Sequence, residues 1–118
     1  MSRIYPIAGL LAQAGDERPY HEFLRVPALS AGIYVLPAGS RDLQAPHQED
    51  EIYFVIRGRA KVTLGKQERE VREGDVIFVE KRLEHRFFDI EEELVLLVVF
   101  APEESRAHTL EQGAHSLS

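Results

Sequence analysis

The chain contains no cysteine. That absence excludes disulfide frameworks, Fe–S clusters, thiolate zinc sites and cysteine nucleophiles together. Positive charge is scarce: 14 Lys and Arg stand against 20 Asp and Glu, a formal net charge of −6. Nucleic-acid and anionic-membrane binders rely on basic surface, so neither partner is expected. Long apolar runs are missing too. The longest, residues 94–101, is far too short to span a bilayer. The first residues lack the basic start and continuous apolar stretch of a secretion signal, which makes the cytoplasm the expected compartment. No G-x-S-x-G nucleophile elbow and no G-x-G-x-x-G phosphate loop occurs. Any chemistry must therefore rest on His, carboxylates, hydroxyls and a metal.

What is present suits one small domain. The 118 residues are 44% hydrophobic, enough for a single core without staples. Pro6, then Ile7, Leu10, Leu11 and Ala14, then Gly15, predict a short helix with its apolar residues on one face. Two turns are marginal alone, so this helix should pack on something larger. After Pro19 the pattern turns to strands. Tyr20–Val26 and Leu29–Leu36 should form a hairpin, followed by strands at 51–57, 60–64, 67–71, 76–79, 85–90 and 94–100. Glu91, Glu92 and Glu93 read as an acidic turn between the last two. Eight short strands at such spacing predict an all-β antiparallel barrel or sandwich. Residues 1–19 are then a helical segment packing on a barrel of residues 20–101, and residues 102–118 a polar tail too poor in apolar residues to dock.

Two strands break the rule of alternation. Residues 52–56 and 94–100 are apolar on both faces, so their outer face should be covered as well. The cover is the N-terminal helix, a second sheet or another subunit, and a homodimer is expected.

The residues that carry chemistry lie in two stretches. His47, Glu49 and Glu51 alternate with solvent-facing positions and share a face with Tyr53 and Val55. An imidazole and carboxylates converging inside a barrel are costly to bury without a partner, and a divalent metal supplies one. In the second stretch His85 opens a strand whose same-side neighbours are Phe87 and Asp89. Tyr53 and Phe87 should line the lumen beside a substrate. His21, His108 and His115 have no partner spacing.

These stretches resemble the cupin superfamily, whose first motif reads G-x5-H-x-H-x3/4-E-x6-G and whose second reads G-x5-P-x-G-x2-H-x3-N. Gly39, His47, Glu51 and Gly58 match the first, and Gly74 and His85 the second. The departures are Ala45 at the first His, Glu80 at the Pro, Arg82 at the inner Gly and Asp89 at the Asn. The resemblance implies a double-stranded β-helix, a jelly-roll barrel, whose lumen holds a metal. Carried over residue by residue, the ligands are His47, Glu51 and His85, with Glu49 in reserve and Gln44 a weaker substitute for the missing imidazole. Two His and one carboxylate with open positions suit Fe, Mn, Zn or Ni. The implied function is a small metal-binding cupin that binds or transforms a small-molecule ligand, as an oxygenase or isomerase. The alternatives are a non-catalytic binding or sensing module and a metal-free structural cupin, the latter favoured by Ala45.

Overall fold

Pro27 and Ala28 close the first hairpin, because a fixed φ suits the turn and neither residue is asked to pair. The strands on either side are β1 (Tyr20–Val26) and β2 (Leu29–Leu36), paired from Tyr20 opposite Tyr34 to Val26 opposite Leu29 with a register shift between Glu22 and Leu24. The computed structural model describes residues 3–14, 19–42 and 47–102. Beyond the hairpin come β3 (Asp50–Leu64), β4 (Gln67–Arg72), β5 (Val76–Val79) and β6 (His85–Ala101). The sheet order is β1-β2-β6-β3-β4, all antiparallel, with β5 also paired to β3. The tail from residue 103 onward lies outside the described residues.

β3 and β6 are the frame. The first half of β3 lies between β5 and the second half of β6, so Glu51 faces Val79 on one side and Phe100 on the other. Its second half lies between β4 and the first half of β6, where Val62 faces Arg69 and Phe87. Each long strand thus serves two paired layers, and the lumen lies between them. Tyr53, Val55, Val62, Phe87, Leu94, Leu96 and Phe100 fill it and are fully buried. This is the all-β double-stranded β-helix expected from the sequence.

The strand count differs from the expectation. Residues 51–57 and 60–64 are one bent strand, and so are 85–90 and 94–100. The register shifts repeatedly between Val55 and Lys61, where Gly58 takes φ +106°. Such bulges let a strand bend without ending. The three glutamates are accordingly strand residues rather than a turn. Arg57 Nη2 lies 3.2 Å from Glu93, and Arg59 pairs with Glu91 at 2.8 Å and Glu92 at 3.6 Å. Opposite charges across a ladder make that stretch compatible with pairing.

Helix α1 (Ile7–Gln13) starts after Pro6, whose carbonyl accepts from the Gly9 and Leu10 amides. It sets Leu10 against Ile33 and Val95 on the outer face of the sheet. Burying one leucine side chain contributes about 2 kcal/mol, and Tyr5, Leu11 and Ala14 pack around it. The doubly apolar strands are therefore covered on the outside at one end by the helix, as one of the expected alternatives required.

Candidate metal centre

Three side chains from two chain regions converge in the lumen: His47, Glu51 and His85, which are 2%, 1% and 5% exposed. One donor atom from each lies within 4.8 Å of the others. Donors on one tetrahedral ion with bonds of about 2.0–2.2 Å stand about 3.3–3.6 Å apart, so the three would draw together to share it.

His47 precedes β3, which begins only at Asp50, so residues 47–49 form a bend rather than the strand expected. The alternation of burial nevertheless runs through 47, 49, 51, 53 and 55. The turn before β6 clasps this stretch. Arg82 N–H donates to the His47 carbonyl at 2.7 Å, Lys81 N–H to Asp50 Oδ1 at 2.9 Å, and Arg82 Nε to Gln48 Oε1 at 3.2 Å. Arg82 takes φ +67° to do so, the left-handed conformation that a Gly or Asn accepts most readily. Asp89, at another departure from the motif, has φ +48°. Both positions thus take a left-handed conformation without a glycine. Inside, the His47 ring meets Phe100 edge-on at 4.8 Å.

His85 is oriented through both nitrogens. Nδ1 lies 2.9 Å from the Leu83 carbonyl, to which it donates as N–H. That bond leaves Nε2 aimed into the lumen, 3.1 Å from Tyr53 Oη and 3.2 Å from Glu51 Oε1. The Tyr53 hydroxyl is held far above its ordinary titration range by burial, and further by the charges of Glu51 and Asp42. It therefore keeps its proton and serves as a donor. For His85, burial is the largest influence and lowers the pKa. The hydrogen bond and charge of Glu51, with Leu83 and Asp42, outweigh it and raise the pKa from 6.5. A carboxylate facing a bare imidazole lone pair at 3.2 Å is repulsive, so the pair calls for a proton or a cation between them. While Nε2 is unprotonated, neither Glu51 oxygen has a hydrogen-bond donor among the described residues. Two imidazoles and this carboxylate fit a divalent ion.

Glu49 is buried, but its carboxylate is not among the three gathered donors. Gln44 and Ala45 lie outside the described residues. Tyr53 and Phe87 both face the lumen, their rings edge-on at 5.0 Å. His21 lies part-buried on β1, away from the cluster.

The sequence reading missed Asp42. It is buried, and its carboxylate accepts from Tyr34 Oη at 2.6 Å and from the Phe87 amide at 2.9 Å. It ties β2 to the start of β6. Burial, then the charge of Asp42, keeps the Tyr34 hydroxyl protonated. The available signal was Tyr34 itself: a tyrosine at an inward position of an apolar strand needs a partner for its hydroxyl. Nothing local pointed to Asp42 as that partner.

Comparison with known proteins agrees with this fold. A family model described as the cupin domain matches residues 32–100. A protein of Streptomyces coelicolor, itself uncharacterized, is 44% identical over 93 residues, covering 79% of this chain and 89% of that one. Among solved structures, a double-stranded β-helix protein from Klebsiella pneumoniae superposes with a TM-score of 0.74 at 17% identity, over 86% of this chain and 91% of its own. KdgF from a Halomonas species superposes at 0.65 with 21% identity, over 70% of this chain and 76% of its own. At these identities the two structures speak to fold alone.

Proposed function

Because the chain belongs to the cupin family, we propose that it holds a divalent metal on His47, Glu51 and His85 and binds or transforms a small molecule in its lumen. The observation that carries this reading is the Glu51 carboxylate set 3.2 Å from the inward nitrogen of His85, an arrangement that calls for positive charge. A bound ion would act there as a Lewis acid, a water activator or a redox centre. An oxygenase or isomerase is the best-fitting activity, with Fe, Mn, Zn or Ni as the candidate ions.

The protein's own residues have separate tasks. Leu83 fixes the His85 ring, and Phe100 buttresses His47. Tyr53 keeps a proton at Oη where a ligand oxygen would receive it, while Phe87 closes the lumen behind it and excludes water. Glu49 is the reserve donor. Ala45 favours a second reading, a metal-free structural cupin. Elemental analysis separates the two: about one ion per chain is expected in the parent after loading, and none in His47→Ala. Equal, substoichiometric metal in both proteins would overturn the metal reading.

A homodimer belongs to the same proposal. Where α1 ends its cover, Ile52, Phe54, Val76 and Phe78 remain exposed, the last two by 64% and 58%. Ile52 pairs with Phe78 and Phe54 with Val76, so the four form one patch at an edge strand. Such a patch invites a second copy. Light scattering at micromolar concentration should give twice the monomer mass, and Phe78→Glu should halve it. A monomeric parent would refute the dimer. The acidic surface argues against nucleic-acid and membrane partners; among the described residues no helix is long and apolar enough to cross a membrane. A cytoplasmic location fits the same chemistry.

A further inference from the structure

A cavity of about 570 Å³ opens beside the first half of β6, against residues 39–42. Its size suits a small organic ligand. Buried Phe87 and Ile90 and part-buried Phe88 give it an apolar wall. Successive strand residues point to opposite sides, so Phe87 faces the lumen while Arg86 and Phe88 face away from it. Phe87 is the partition: its ring meets Tyr53, whose hydroxyl lies 3.1 Å from His85.

The charges around the cavity are unevenly matched. Every acid lining it is engaged. Asp42 accepts from Tyr34 and the Phe87 amide, Asp89 lies 3.7 Å from Lys61, and Glu91 lies 2.8 Å from Arg59. Arg41 and Arg86 also line it, and neither side chain carries an ion pair among the described residues. Two uncommitted arginines beside an apolar wall select a ligand with a carbon body and an anionic end, and a planar fork matches a carboxylate.

We propose that this cavity binds a small organic acid, its carboxylate held by Arg41 and Arg86 and its body against Phe88 and Ile90. The proposal goes beyond the reading of the lumen: it places a second ligand site on the other side of Phe87 from the His47, Glu51 and His85 cluster. It does not depend on the metal.

The test uses the full chain carrying His47→Ala, so that no carboxylate can bind through an ion. Benzoate and hexanoate are titrated at constant ionic strength and followed by amide NMR shifts and calorimetry. Benzamide supplies a body without charge, and inorganic phosphate a charge without a body. At least one acid should bind saturably and shift the amides of Arg86, Phe87 and Phe88, with benzamide and phosphate at least about 10-fold weaker. Arg41→Gln with Arg86→Gln should weaken the acid by about 10-fold or more. Arg69→Gln with Arg72→Gln, on β4, should leave it unchanged. Failure of both acids, binding of benzamide or phosphate as tight as the acid, or full retention by the Arg41/Arg86 variant would overturn the proposal. Metal content of the parent is read separately, so loss of one conclusion does not carry the other with it.

Discussion

His85→Ala should leave the protein unable to retain metal, with affinity for the ion down by more than about 100-fold. Removing an outer partner of a metal ligand costs about 10- to 100-fold, and His85 is itself a donor. Three protein donors leave little to fall back on: Glu49 is buried nearby but stands outside the gathered set. The competing explanation for such a loss is general damage, since His85 opens β6 and packs beside Tyr53. His21→Ala on β1 controls for the loss of a part-buried imidazole and should bind metal as the parent does. Affinity is read by competition with a chromophoric chelator. Unchanged binding in His85→Ala would sink the proposed centre.

The same side chain sets a pH signature. Its pKa in the folded protein is raised from 6.5, with the Glu51 hydrogen bond and charge outweighing the opposing effect of burial. The protonated pair therefore stabilises the metal-free fold fully below the unfolded value of 6.5. That stabilisation is lost as pH rises through the raised value. A metal needs the same nitrogen unprotonated, so its affinity should climb over the same window. Thermal melts from pH 6 to 8 should show metal-free and metal-loaded protein moving apart, the first falling and the second gaining on it. In His85→Ala the metal-free fall should be flattened. Parallel curves for the two forms of the parent would contradict a shared proton and metal site.

Much of the candidate site was legible because its burial pattern depends on spacing. His47, Glu51 and His85 came from a period of two and from motif intervals, and burial of 47, 49, 51, 53 and 55 follows that period even where no ladder forms. Phe87 and Tyr53 fell inward for the same reason. What escaped depends on contacts between distant segments. Asp42 sits in a polar loop, and only its meeting with Tyr34 and the Phe87 amide makes it interior. The strand breaks at Gly58 and at the three glutamates were misjudged on local grounds. A glycine and an acidic run each signal a turn by composition, whereas cross-strand arginines and a bulge keep the ladders running. Arg82 hides its role most thoroughly, because its left-handed φ and its bond to His47 have no side-chain signature.

Gly58→Ala should destabilise the protein by about 3 kcal/mol or more, lowering Tm by about 10 °C. Two independent costs combine. At φ +106° an L side chain is strained by about 1–2 kcal/mol. A Cβ would also run into the Glu93 carbonyl oxygen and lie 2.8 Å from Leu94 Cα. Both obstacles are backbone of the facing strand, so no rotamer change relieves them. β3 and β6 must instead separate at this bulge, and Leu94 is fully buried in the core. The displacement would travel along β3 toward Glu51 and Tyr53, so metal affinity should fall along with Tm. Gly9→Ala is the matched control. Gly9 is exposed in α1, with nothing within 4 Å of a new Cβ. There the same substitution should stabilise by about 0.5–1 kcal/mol, because glycine is a poor helix residue. If instead Gly58→Ala melted with the parent, the bent β3 would be able to adopt another bulge. The close approach of its backbone to Glu93 would then not be what holds the two layers of the barrel together.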